Sequence, residues 1–228
     1  MDSILLSWSG GKDSSMALWQ ERKAGRNRIE GILTTVTEGY ERISIHGVRR
    51  DLLETQAESV GLPLHVVTIP QDSDNRTYEE RMRRVLLQSA SERGISGVSF
   101  GDLFLEDIRK YREGRLGEIG MKAHFPLWKM DTGRLARRFI ELGFRAIVCC
   151  VDTDLLDGRF CGAEYDEAFL RALPESVDPC GENGEFHTFA YDGPIFTRPL
   201  AAVRGEKVLR MDRFLYCDLL PSHVAHGV

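Results

Sequence analysis

At 228 residues the chain is long enough for one generous α/β domain, or for one domain with a smaller companion. Apolar residues make up 42% and charged residues 29%, which excludes a disordered or fibrous chain, and the formal net charge of -5 leaves no global basic field, so no nucleic-acid partner is expected. No apolar run approaches the roughly 18 residues of a membrane helix, and Met1-Asp2-Ser3 leads straight into a strand without a signal-peptide pattern, so no membrane partner is expected and the predicted location is cytoplasmic.

Ile4 to Trp8 is a short β-prone run, followed by a Gly-rich turn and by a helical segment from Asp13 to Ala24 that stops at Gly25. Ile29 to Val36 reads as the next strand. Arg50 to Val60 carries Leu53, Ala57 and Val60 on one helical face before Gly61 and Pro63 end it. Leu64 to Ile69 gives a third strand, and Tyr78, Met82, Val85, Leu86 and Ala90 mark an apolar helical stripe that ends at Gly94. Val98 to Phe100 is a fourth strand, Leu105 to Ile119 a helix, and Thr132 to Leu142 a helix ahead of the strand Arg145 to Val151. Cys149 and Cys150 lie in that last apolar run and read as small buried hydrophobes; the five cysteines form an odd set without C-x-x-C spacing, which suggests neither disulfides nor a zinc or iron–sulfur site.

Strands alternating with amphipathic helices imply a parallel sheet covered on both faces. Beyond residue 150 the pattern changes to a short helix (Asp166 to Leu173), a strand (Phe186 to Tyr191), a turn at Asp192-Gly193-Pro194 and a last strand (Phe214 to Leu219). The expected fold class is therefore α/β: a doubly wound, mostly parallel five-stranded sheet of Rossmann-like type with a smaller C-terminal α+β domain. The first domain is expected over 1–125 and the second over 126–228, with the boundary falling between 120 and 150.

The chemistry is concentrated in Ser9-Gly10-Gly11-Lys12-Asp13-Ser14. Two adjacent glycines at the mouth of a helix let backbone N–H groups approach a phosphate chain, the helix dipole favours the anion, Ser9 and Ser14 add hydroxyl donors and Lys12 adds a mobile positive charge. Asp13 suits either a helix cap or the support of a hydrated Mg²⁺. The spacing is not that of the G-x-x-x-x-G-K-[ST] loop, which disfavours the usual kinase or GTPase chemistry. Gly101 and Asp102 follow the fourth strand, where ligands of parallel sheets bind; Asp102 suits the nucleotide site and helix capping equally. Arg109 and Arg112, with Glu106 and Glu113 close by, read as a solvated ion-paired face, and Trp8 and Trp128 as packing residues. His46 and the stretch 38–45 lie in a long connection expected to close over adenine or substrate.

S-G-G-K-D-S after an N-terminal strand resembles the PP-loop of the N-type ATP pyrophosphatases, within the adenine nucleotide α-hydrolase-like (HUP) superfamily, whose members release pyrophosphate and adenylylate an oxygen. Three further segments resemble the diphthine–ammonia ligase family in particular, over nearly the whole chain. They are Leu52 to Glu58 leading to Gly61-Leu62-Pro63-Leu64, then Gly101-Asp102 with Asp107 to Arg112, and finally Gly181-Glu182-Asn183-Gly184-Glu185-Phe186-His187-Thr188 ahead of Asp192-Gly193-Pro194. The family run is Glu-Gly-Gly-Glu-Phe-Glu-Thr; Asn183 stands for a glycine and His187 for a glutamate, which marks a divergent member and bears on the acceptor more than on the ATP chemistry.

The resemblance implies an ATP-dependent, AMP-forming carbon–nitrogen ligase that adenylylates a substrate carboxylate and then transfers ammonia. ATP and Mg²⁺ would be the cofactors, with Lys12, Asp13, Glu182 and Glu185 in catalysis, Ser9 to Ser14 with Gly101 and Asp102 on the nucleotide, Gly181 to Thr188 on the substrate, and Asp13 toward the metal. The acceptor would be diphthine on translation elongation factor 2 or a small acid, and the short second domain is compatible with a homodimer. Read as residues alone, two carboxylates in a Gly-bearing loop suit ammonium binding, orientation of a cationic group or proton removal, with a polar surface hairpin as the lesser alternative. Two other readings of the phosphate loop are a tRNA-modifying PP-loop enzyme and a nucleotide sensor without chemistry.

Overall fold

The computed structural model describes residues 1–40, 42–43 and 47–222. In chain order the elements are β1 (Asp2–Ser7), α1 (Lys12–Ala24), β2 (Asn27–Thr37), β3 (Arg42–Ile43), α2 (Arg50–Val60), β4 (Leu64–Ile69), α3 (Asn75–Arg93), β5 (Gly97–Ser99), α4 (Glu106–Gly117) and β6 (Lys122–His124). There follow α5 (Thr132–Glu141), β7 (Arg145–Asp152), a 3-10 turn at Gly158–Phe160, α6 (Glu167–Ala172), β8 (Phe186–Asp192), β9 (Ala202–Arg210) and β10 (Phe214–Pro221). They fall into two compact units: Met1–Ser9 with Asp13–Ser44 and Leu62–Met130, and Gly10–Lys12 with Ile45–Gly61 and Asp131–Val228. The second unit thus takes two short pieces, the heart of the Gly-rich loop and α2, from the amino-terminal half.

The first unit is built on β1, whose Ile4, Leu5 and Leu6 are fully buried, the continuous apolar run of a strand covered on both faces. β1 pairs in parallel with β2 on one side and β5 on the other, β2 with β4, and β5 with β6, while the two-residue β3 adds an antiparallel edge to β2. The parallel strands therefore run β4-β2-β1-β5-β6 across the sheet. Numbered by sequence this is the 3-2-1-4-5 order of a Rossmann-like sheet, with its reversal point between β1 and β5. On one side of the sheet Leu5, Leu33, Val67, Ile69 and Val98 form a core with Leu86 of α3 and Leu116 of α4, against which Tyr78, Met82, Val85 and Ala90 pack. The stripe predicted for α3 is the face that packs on this core, with Leu86 buried and the other four partly so. Asp74 caps that helix, its side chain accepting from Thr77 N at 2.8 Å, which satisfies one of the N–H groups a helix start leaves open.

The α/β class is as expected, with one reassignment. The strand expected over 145–151 forms, as β7, but it lies in the second sheet; the fifth parallel strand is β6, three residues long. In the second unit four strands pair antiparallel in the order β8-β7-β10-β9. β7 is central and buried from Ala146 to Asp152. Phe139 of α5, Phe144, Tyr165, Phe169 of α6 and Phe186 of β8 form an aromatic core with ring centroids 4.8 to 6.1 Å apart. Each such pair adds roughly 0.5–1.5 kcal/mol to the area it removes from water. All five cysteines are buried and outside any disulfide, and burial pushes Cys150 and Cys161 up to about 12, as the reading of small buried hydrophobes requires. Among the described residues no helix is long and apolar enough to cross a membrane.

Candidate nucleotide site

In the first unit β1 and β5 bring their carboxyl ends together at the reversal point of the sheet. Trp8 N donates to Leu33 O at 2.7 Å, extending the strand pairing one residue past β1, and the Trp8 ring is buried as a packing residue. Ser9 Oγ lies 3.3 Å from Ser14 Oγ, bridging the Gly-rich segment from end to end. α1 begins at Lys12, which places Asp13 in the first turn, where a carboxylate complements the positive end of the helix dipole. The opening turn of a helix leaves its first N–H groups without intrahelical acceptors, so an anion is favoured there. Gly101 lies directly against this turn: a Cβ on it would sit 2.9 Å from Asp13 C, 3.0 Å from Asp13 O and 3.1 Å from Ser14 N, all main-chain atoms. The two predicted nucleotide segments, Ser9 to Ser14 and Gly101-Asp102, thus meet through Asp13, Ser14 and Gly101.

Asp102 does not cap the following helix. The N-cap of α4 is Leu105, without a side-chain hydrogen bond, and Asp102 is instead gripped by Arg112, whose Nη2 donates to Oδ1 at 3.1 Å and whose Nε lies 2.8 Å from Oδ2. The same guanidinium stacks 4.3 Å over the Phe100 ring. Arg109 pairs with Glu113 at 2.7 Å, as expected for an ion-paired face, and also covers Phe125 and Trp128.

In the second unit Gly10, Gly11 and Lys12 pack against the segment around 181–188, some 170 residues away in sequence. Lys12 N donates to Thr188 Oγ1 at 3.0 Å, and Ala190 N donates to Gly10 O at 2.8 Å. The lysine expected as a mobile cation is buried, 3% exposed; its ammonium donates to Cys180 O and lies 5.4 and 5.7 Å from the Phe186 and Tyr165 ring centroids. His187, on β8, is held neutral: burial, with the Lys12 charge adding, lowers it to about 4 despite the opposing pull of Asp152.

Glu185 is buried, and its carboxylate accepts from Asp178 N, Asn183 N and Asn183 Nδ2, each at 3.0 Å. Asp178 Oδ1 in turn accepts from Cys180 N at 2.8 Å and Glu182 N at 3.3 Å. Two carboxylates therefore knit the turn that joins residue 178 to β8, with Glu182 half-buried beside them. Asn183, where the family run has glycine, contributes a side-chain donor to Glu185 that glycine lacks. Asp178 carried no signal in the sequence, since acids are common in turns. Asp152, 3% exposed at the end of β7, forks with Arg213 through contacts of 2.9, 2.9 and 2.6 Å and was also passed over; only its place at the end of an apolar run sets it apart. Of the long connection after β2, residues 41 and 44–46, His46 among them, lie outside the described residues.

The sequence is similar to those of known proteins of one family. The diphthamide synthase N-terminal domain matches residues 1–123 and the diphthamide synthase C-terminal domain matches residues 131–219. A diphthine–ammonia ligase of Danio rerio is 27% identical over 224 residues, covering 90% of this chain and 88% of that protein. One of Schizosaccharomyces pombe is 25% identical over 217 residues, covering 88% of this chain but 36% of the longer yeast protein. A solved structure described as a predicted subunit of tRNA methyltransferase from Methanocaldococcus jannaschii covers 81% of this chain and 89% of its own at a TM-score of 0.40 and 18% identity, a likeness too loose to bear on function. With both domain models matched in order along almost its whole length, the chain belongs to the diphthamide synthase family.

Proposed function

We propose that the chain is an ATP-dependent, AMP-forming ligase that converts a substrate carboxylate to an amide with ammonia. The observation that carries this reading is the packing of Gly10 to Lys12 against the 181–188 segment, which ties the phosphate loop to the run most specific to the family. The supporting observation is the meeting of Asp13 and Ser14 with Gly101 at the reversal point of the sheet.

Amides of the loop other than that of Lys12, which donates to Thr188, and the hydroxyls of Ser9 and Ser14 hold the outer phosphates and stabilise the charge that collects on departing pyrophosphate. Lys12, fixed by the Cys180 carbonyl, adds a positive field rather than a roving contact. Asp13, the carboxylate of the loop, would hold magnesium, which would supply positive charge beside the phosphates. The acceptor carboxylate attacks the α-phosphorus, pyrophosphate leaves, and ammonia then displaces AMP from the acyl-adenylate. Glu182 is the half-buried carboxylate best suited to orient or deprotonate the amine, while Glu185 shapes the turn that carries it. The acceptor we propose is diphthine on translation elongation factor 2, in the cytoplasm, a choice supported by the diphthine–ammonia ligase relatives.

The test is the nucleotide product. Incubation with ATP, Mg²⁺, ammonium and diphthine-bearing acceptor should give AMP and pyrophosphate in step with amide; ADP and phosphate as products would eliminate the mechanism. Intact ATP under all these conditions would favour a sensor.

A further inference from the structure

α2 buries two polar side chains, Ser59 and Gln56. Ser59 Oγ donates to Arg198 O at 2.7 Å, an ordinary helix-to-loop contact. Gln56 is 0% exposed, and a carboxamide taken wholly out of water must spend its donors on protein. Its Nε2 donates to Gly10 O at 2.9 Å and to Ala190 O at 2.6 Å, while Gly10 O also accepts from Ala190 N at 2.8 Å. One side chain therefore joins the Gly-rich loop to β8 beside the direct backbone contact.

Gly10 has φ +76, the left-handed region, and a Cβ there would come within 2.7 Å of Gln56 Oε1. The carboxamide lies against the bare α-carbon, so glycine is required both for the backbone and for the neighbour. Because a trans peptide is planar, the Gly10 carbonyl and the Gly11 N–H point in opposite directions within one plane. Anchoring the carbonyl on Gln56 and Ala190 consequently sets the direction of the Gly11 N–H.

We propose that Gln56 is a positioning residue for ATP cleavage: its carboxamide clamps the Gly10 carbonyl to β8 and so fixes the amide direction of the phosphate loop. The inference rests on the reading of Ser9 to Ser14 as a phosphate loop. Gln56 touches no nucleotide; it acts through Gly10. Its contribution is greatest where charge builds on the departing pyrophosphate, so it belongs to kcat more than to KM.

Gln56→Met keeps the volume and removes the donors, and Gln56→Glu sets carboxylate oxygens against two carbonyls. Pyrophosphate release measured well below each variant's unfolding temperature should show kcat lowered about 10- to 100-fold in Gln56→Met and further in Gln56→Glu, with KM for ATP moved less than about 3-fold. A folded Gln56→Met protein with the parental kcat would overturn the proposal. Hydrogen exchange of the Lys12 amide, which is bonded to Thr188 Oγ1, reads the clamp without nucleotide and should quicken about tenfold in Gln56→Met; unaltered exchange overturns the clamp. Should Gln56→Met not fold, Gln56→Asn, which draws the carboxamide back by one methylene, takes its place with the same expectations. A parent protein that releases no pyrophosphate would sink the phosphate-loop reading, and the exchange result would still judge the clamp.

Discussion

Gly101→Ala separates contact from conformation at the nucleotide site. The added carbon would lie 2.9, 3.0 and 3.1 Å from Asp13 C, Asp13 O and Ser14 N. These are backbone atoms of the first turn of α1, so no flexible side chain can swing aside; either the start of the helix or the chain after β5 must move. Gly101 does not sit at positive φ, which leaves overpacking as the whole cost, about 1–3 kcal/mol. If the loop holds phosphates as proposed, the same shift displaces its amides from them, and a misplacement near 1 Å costs roughly 10²-fold in rate. Urea unfolding and pyrophosphate release should therefore fall together. Gly114→Ala, in the exposed middle of α4 with nothing within 4 Å of the new methyl, should instead stabilise by about 0.4–1 kcal/mol and leave turnover alone. A Gly101→Ala protein within about 0.5 kcal/mol of the parent, the scatter of ordinary surface changes, and with parental turnover would refute the reasoning.

Lys12→Met should abolish most pyrophosphate release, by about 10²–10³-fold, with the fold retained because the methionine fills the same buried slot; near-parental turnover would remove Lys12 from the chemistry. Glu185→Gln turns one acceptor of the turn into a donor facing N–H groups, which should destabilise it by about 1–3 kcal/mol, spare ATP binding and suppress amide formation; an unchanged amide yield would exclude Glu185 from any role in transfer. His187 titrates near 4 in the folded chain against an ordinary 6.5, so the unfolded chain takes up a proton across that interval that the folded chain refuses. Stability present above that window is lost as pH falls through it, by at most about 3 kcal/mol, and His187→Gln should flatten the slope of urea-unfolding stability against pH between those limits. An unchanged slope would show that another group carries the acid dependence.

What was legible in the sequence was what local pattern encodes. The strand, Gly-rich turn and helix at residues 4–24 follow from a buried apolar run, two glycines and a capped periodic segment, and the structure places them within two residues of expectation. β6 was missed because three residues, Lys122 to His124, are too few to show a period, and β9 because an edge strand exposed on both faces has no apolar alternation to read. The membership of β7 in an antiparallel sheet was hidden for the opposite reason: a continuous apolar run looks the same in either kind of sheet. At the site, residue types were visible but their commitments were not. Lys12 reads as a mobile cation until the Cys180 carbonyl is placed beside it, and nothing local in the sequence shows that Gln56 meets Gly10 and Ala190.

Among the described residues β9 is the last strand on its side of the second sheet, and an outward-facing strand backbone is a template for any extended chain that drifts by. Arg204, Glu206, Lys207 and Arg210 punctuate that border, so a visiting strand would have to desolvate charges in order to dock. Charges at such a border disfavour edge-to-edge pairing, a demand on the sequence separate from binding or chemistry.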